Sequence, residues 1–191
     1  MSSWATSSRA ARGLAILGVA VVAAAPAAAK VFLSVDEALK LAFPACQVER
    51  RTAYLTPAQI RRVKDLAGGE APSALVSYHA ATRDGQPVGT AWFDTHKVRT
   101  LPETLMIVVD AQGKVARIEV ISFREPAEYM PRGPWYAQFL GRRLDADLQL
   151  KAGIRPVTGA TLTARATTDA VRRVLALHQV IVVGAGRSAP P

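Results

Sequence analysis

Three threonines within six residues, Thr158, Thr161 and Thr163, surround a Gly159-Ala160 pair just ahead of the clearest helical pattern in the chain. Glycine lets the backbone turn tightly and lets another group approach it closely. The first turn of a helix carries N–H groups without intrahelical partners and the positive end of the dipole, and both favour an anion. Thr161 or Thr163 is placed to act as N-cap. Two readings of the segment therefore stand: a phosphate site, or a capped helix behind a glycine turn.

Other polar residues have weaker claims. With the hairpin around Asp84-Gly85 centred between those residues, His79 faces roughly Thr90 and His96 roughly Ser73, so the three histidines, His178 included, do not converge on a metal. His178 lies at the end of the last helix, where a cation is favoured. Asp94 and His96 resemble a catalytic pair, but no serine sits in a G-x-S-x-G context. Cys46, the single cysteine, reads as a small semi-buried side chain or as a reactive thiol. One cysteine excludes an intramolecular disulfide framework, a cysteine-rich zinc site and a cysteine-ligated iron–sulfur cluster. No G-x-G-x-x-G, Walker loop or C-x-x-C-H occurs.

The elements that must position these residues are legible in outline. Ser34 with Glu37, and Thr56 with Gln59, form capping boxes that open short helices at 35–43 and from Pro57 to Gly68-Gly69. Residues 74–82 and 88–98 read as strands joined by an Asp-Gly turn, and 104–109 and 115–123 as a second hairpin across Asp110 to Gly113. Residues 124–134 read as an irregular loop, and 135–140 as a short amphipathic turn ended by Gly141. Thr163 to Gln179 is a helix whose buried stripe is Thr167, Val171, Val174, Leu175 and His178, with Arg165, Arg172 and Arg173 largely off it. Ile181 to Val183 reads as a last strand and 184–191 as a frayed tail. The fold class is α+β: an antiparallel sheet of two consecutive hairpins packed with a long C-terminal helix and short N-terminal helices. The division is residues 30–73, largely helical, and 74–183, carrying the chemistry.

Thr158-Gly159-Ala160-Thr161 resembles the [S/T]-G-A-[T/S] motif of the FMN-binding domain family, which includes extracytoplasmic flavin subunits of the Nqr and Rnf respiratory complexes. The resemblance extends over Val88 to Ala91, Leu105 to Asp110, Gly113 to Val115, Glu125-Pro126 and Trp135 to Gly141, about residues 74–178. It implies FMN held through a phosphoester on Thr161, placed there by a flavin transferase using FAD. It implies cofactor contacts from Thr158, Gly159, Ala160, Thr163 and Glu125. It also implies an electron carrier more than an enzyme with its own substrate. Candidates for the ring's apolar wall are Tyr78, Trp92, Phe93, Phe123, Trp135, Tyr136 and Phe139. Two positions depart from the family pattern. Arg155 stands where an Asp is usual, six residues before the acceptor, and 125–128 reads Glu-Pro-Ala-Glu where the respiratory subunits have E-T-P-G. Arg155 feeds a rival reading, a non-redox FMN-binding or sensing module without covalent flavin.

The N-terminus sets the expected compartment. Residues 1–29 hold Arg9 and Arg12, no acid, an apolar run from Leu14 to Ala25, Pro26 and Ala27-Ala28-Ala29, which together read as a cleaved secretory signal. Its removal takes the net charge from +9 to +7. The expectation is a periplasmic protein, able to associate with the inner membrane, with membrane or periplasmic electron-transfer partners and no nucleic acid.

Overall fold

The computed structural model describes residues 30–184. The expected signal peptide at 1–29 lies outside them, as does the expected tail beyond Gly184. Both capping boxes form. Ser34 accepts from the Glu37 N–H while Glu37 accepts from the Ser34 N–H, opening α1 (Val35–Ala42). Thr56 and Gln59 repeat this for α2 (Pro57–Ala67), which ends on Gly68 in the left-handed region.

Between those helices lies β2 (Gln47–Tyr54), where the sequence pattern predicts only a connection. It is an edge strand with seven of eight residues exposed, so no apolar alternation marks it. Glu49, Arg50 and Arg51 are the kind of charges that keep an edge from pairing with other chains. Its inner side pairs antiparallel with β3 (Leu75–Arg83) from Gln47↔Thr82 to Tyr54↔Leu75. The strand therefore joins the helical N-terminal segment to the same sheet.

β3 and β4 (Gln86–Lys97) form the first hairpin, with Asp84 and Gly85 both at positive φ. β5 (Pro102–Asp110) and β6 (Val115–Phe123) form the second. With β1 (Lys30–Val31) against β6, the antiparallel sheet runs β1-β6-β5-β4-β3-β2. The α+β class and the paired hairpins are as expected. The register is not. A bulge at Ala81/Thr82 inserts one residue into β4, so His79 lies opposite Ala91. The β3–β4 ladder stops there, while β4 follows β5 out to Lys97↔Pro102. His96 thus faces Glu103 rather than the neighbourhood of Ser73.

Helices cover both faces. The short α3 (Gly133–Tyr136) precedes α4 (Thr161–His178) in the chain, and α2 and α4 pack on one face, where Val63, Trp92, Ile107, Phe139, Val171 and Val174 meet. α1 packs on the other, over Ala91, Met106 and Val108. This double cover explains the unbroken buried run Leu105 to Val109 in β5. The whole predicted stripe of α4 is buried. Arg172, placed off that stripe, in fact caps the end of α2 by donating to the Ala67 and Leu66 carbonyls at 2.8 and 3.2 Å. Beyond His178 the chain does not become a strand. No Gly or Pro interrupts it, and it continues as a π-helical turn over Gln179–Val183. Among the described residues no helix is long and apolar enough to cross a membrane.

Candidate functional site

The Val157 to Thr163 segment turns into α4 without a side-chain cap. Gly159 has a φ of 82°, and nothing lies within 4 Å of where a Cβ would stand. The Ala160 N–H bonds the Val157 carbonyl at 3.2 Å, closing a turn that delivers the backbone straight into the helix. Ala160, buried, is therefore the N-cap, and neither Thr161 nor Thr163 serves that role. The helix begins with its first N–H groups uncapped by any side chain. Thr161 is the first helical residue, exposed, with Oγ1 donating to the Val157 carbonyl at 3.1 Å. Thr158 is exposed beside it. Thr163 points inward and donates to the Tyr129 carbonyl at 2.5 Å.

That last bond ties the helix to the 124–134 loop, which Glu125 organises. The carboxylate is buried, and its Oε1 accepts the backbone N–H groups of Arg99, Thr100 and Leu101 at 3.1, 2.6 and 2.8 Å. Burial pushes this carboxyl up, but the Leu101, Thr100 and Arg99 N–H bonds outweigh it and hold it below the usual carboxylate range. The Arg99 guanidinium in turn lies over the Tyr129 ring, 4.7 Å from its centroid. Glu125 thus positions the β4–β5 turn, and through Arg99 and Tyr129 that turn touches the partner of Thr163. Sequence reasoning misses Arg99 and Tyr129, because nothing local marks either.

On the other side, Trp135 Nε1 donates to the Arg155 carbonyl at 2.7 Å, and Gln138 accepts the Arg155 N–H at 3.0 Å. The short turn 133–139 therefore anchors the chain leading into the threonine segment. The Arg155 side chain is exposed, with Nε 3.4 Å from Gln138 Oε1. Of the seven aromatic candidates, Tyr78 and Trp92 stack on each other at 4.7 Å, and Phe123, Tyr136 and Phe139 are core.

A second polar constellation lies under α4. Arg173 grips Asp94 with two bonds of 2.8 Å. His96 bridges Asp94 at 2.9 Å and Glu103 at 3.1 Å, and Thr167 donates to Glu103 at 3.5 Å. Asp94 and His96 are legible in the sequence as a near pair; Glu103 and Arg173 come from other elements. Burial works against a charged His96, but the bonds to Asp94 and Glu103 prevail and push its pKa up to about 9. Burial likewise pushes Asp94 up, and the bonds from His96 and Arg173 more than reverse it. Two carboxylates and two cations so compensate one another. Glu103 Oε1 and the Tyr136 hydroxyl are buried without a hydrogen-bond partner among the described residues. Burial, with the Glu103 charge nearby, holds that phenol protonated.

His178 is not a terminal cation. It is buried against Thr90, with Nδ1 3.0 Å from Thr90 Oγ1, which accepts from Trp92 Nε1 at 2.9 Å. Burial lowers its pKa, and the Thr90 hydroxyl, accepting from Trp92, is free to donate to a neutral imidazole. Among the described residues no His, Cys, Asp and Glu converge as a metal site.

Comparison with known families matches residues 101–176 to the model of the FMN-binding domain. The matched stretch runs from the start of the second hairpin through most of α4, and so contains Glu125 and the Thr158 to Thr163 segment. No curated protein matches the chain.

Proposed function

With residues 101–176 belonging to the FMN-binding domain family, and FMN accordingly the cofactor, we propose that this chain is a periplasmic electron-transfer flavoprotein carrying FMN covalently on Thr161. The observation that carries the proposal is the Thr161 hydroxyl, exposed on the first turn of a helix that no side chain caps. The residues fit the group. Gly159 leaves its side of the turn open, and the uncapped N–H groups suit the single negative charge of a phosphodiester. Arg155 and Arg165 are exposed near the same helix end.

When bound, FMN supplies reversible electron acceptance and donation. The chain's own residues do the holding. Thr161 Oγ1 bonds to the FMN phosphorus of FAD under a flavin transferase while the pyrophosphate P–O bond breaks. AMP leaves, and the hydroxyl proton passes to solvent base. Thr163 and Tyr129 fix the first helical turn against the 124–134 loop, Glu125 fixes the β4–β5 turn beside it, and Trp135 and Gln138 fix the approach to the motif. The basic, acid-free N-terminus with its apolar run supports export, and covalent attachment suits a carrier outside the cell, where free FMN would be diluted.

The test is co-expression with a flavin transferase, followed by a denaturing gel viewed for flavin fluorescence. The wild type shows a fluorescent band and Thr161→Ala does not. A colourless wild type, or a band that survives in Thr161→Ala, defeats covalent flavin at this position. Arg155, in the place of an acid usual in the family, favours a second reading: a module that binds FMN without a covalent bond. A folded protein that stays colourless on the gel yet binds free FMN is its signature.

A further inference from the structure

The positive charge of this chain gathers around the start of α4. Residues 30–184 hold 21 Lys and Arg against 15 Asp and Glu, a net of +6. Three short segments border that helix end: the last residue of β4 with the turn after it (97–101), the 124–134 loop, and the chain at 155–166 that carries Thr161. These 28 residues hold six of the cations and two of the acids, so they account for +4 and the other 127 residues for +2. The six are Lys97, Arg99, Arg124, Arg132, Arg155 and Arg165, all exposed. Of the two acids, Glu125 is buried and committed to the backbone N–H groups of the β4–β5 turn. Glu128 is the one exposed carboxylate on the three segments. The segments are held together by bonds: Thr163 to the Tyr129 carbonyl, the Arg99 guanidinium over the Tyr129 ring, Glu125 to the turn, and Trp135 and Gln138 to Arg155.

Two observations say what this basic rim meets. First, none of the six cations forms an ion pair among the described residues, whereas Arg51, Arg117, Arg142 and Arg173 do. Like charges gathered without carboxylates between them repel one another, and a partner of opposite sign relieves that repulsion. Secondly, Leu162, 50% exposed, is the one large apolar side chain that the three segments expose. A face that enters a bilayer buries apolar side chains among its basic ones, so lipid fits this rim poorly. A redox encounter between proteins has the opposite requirement. It is small and brief, and charge orients it.

We propose that the basic rim around Thr161 is the docking surface for an electron-transfer protein with an acidic face. The redox role of that partner rests on the flavin proposed above for Thr161; the rim's preference for an acidic surface does not. Because the cations surround the acceptor, the approach that they steer brings the partner to the flavin.

The experiment has two arms. In the first, the apo protein is titrated with an octaglutamate peptide at low salt and followed by backbone amide NMR. The peptide shifts amides of 97–101, 124–134 and 155–166, and about 0.5 M salt reverses the shifts. Arg124→Glu/Arg132→Glu weakens binding about tenfold or more, whereas Arg61→Glu/Arg62→Glu, the same change of charge at exposed positions of α2, leaves it near wild type. Equal weakening by both variants, or shifts outside the three segments, overturns the rim as the docking surface. Phosphatidylglycerol vesicles that shift the rim amides where the peptide does not overturn the protein partner in favour of a lipid surface. In the second arm, the reduced flavinylated protein is mixed with an anionic or a cationic oxidant. Two hexacyanoferrate(III) ions each take one electron from the reduced flavin, and its protons pass to solvent; tris(phenanthroline)cobalt(III) performs the same oxidation with the opposite charge. Added salt slows the first reaction and speeds the second, and Arg124→Glu/Arg132→Glu slows the first about tenfold. Rates that ignore both salt and the charge of the oxidant overturn steering at the flavin. A wild type without covalent flavin defeats Thr161 as acceptor instead, and the peptide arm then still decides the rim. If Arg124→Glu/Arg132→Glu does not fold, the location of the wild-type shifts decides.

Discussion

The His96 cluster makes the stability of the fold depend on pH above neutrality. His96 lies between Asp94 and Glu103 at 2.9 and 3.1 Å, and its pKa is pushed from 6.5 up to about 9. Burial alone would lower it, so the two carboxylate bonds exceed the desolvation cost. A tenfold change in proton affinity corresponds to ~1.36 kcal/mol, which makes the protonated ring worth roughly 3 kcal/mol to the folded state. The folded pKa is the raised one. The contribution is therefore complete below pH 6.5, declines by up to ~1.4 kcal/mol per pH unit above it, and is gone once pH passes about 9. Urea denaturation of the apo protein at a series of pH values from about 6 to about 10 measures this. Titrating lysines and tyrosines are shared with His96→Gln, so the difference between the two stability curves isolates the histidine. That difference shrinks by roughly 3 kcal/mol across the window. A difference that stays constant with pH would show that His96 carries no extra proton in the fold, and the electrostatic account of the cluster would fail.

Arg173→Leu leaves Asp94 buried with His96 as its only cation and costs about 3–5 kcal/mol by thermal or urea unfolding; a loss under about 1 kcal/mol would mean the pair behaves like a surface ion pair. Gly89→Ala places a Cβ 2.5 Å from the Val109 carbonyl oxygen and lowers stability by about 1–3 kcal/mol through overpacking. Gly159→Ala meets no atom and loses about 1–2 kcal/mol for its left-handed φ alone; Gly89 has no such φ, so a Gly89→Ala protein that melts like the wild type would contradict the close approach of β4 and β5. Glu125→Ala frees the N–H groups of Arg99, Thr100 and Leu101, so their amide exchange accelerates; unchanged protection would show that the turn holds itself.

Local signals carried the elements that local chemistry decides. Ser34/Glu37 and Thr56/Gln59 cap their own helices within three residues, and Asp84-Gly85 turns its own hairpin. The α4 stripe was legible because one helix face buries against one sheet face. Signals failed where the answer lay in another element. β2 shows no alternation because its partner is only β3 and its faces stay wet. His178 has the sequence position of a terminal cation, yet Thr90 comes to meet it in the core. The partner of His79 turned on one inserted residue in β4, and the surroundings of His96 on where the β3–β4 ladder ends.

By itself the sequence determined the α+β class, the paired hairpins, the long final helix, and the Thr158-Gly159-Ala160-Thr161 motif at its start, because each is written in residues a few positions apart. Only the tertiary structure decided that Ala160 and not a threonine heads that helix, that Glu125 works through the Arg99 to Leu101 turn, and that Asp94, His96, Glu103 and Arg173 share their charges. It also decided that β3 and β4 part beyond His79 and Ala91. Those relations join residues from different elements, and a hydrogen bond or ion pair across such a separation depends on how strands and helices pack, which local pattern does not encode.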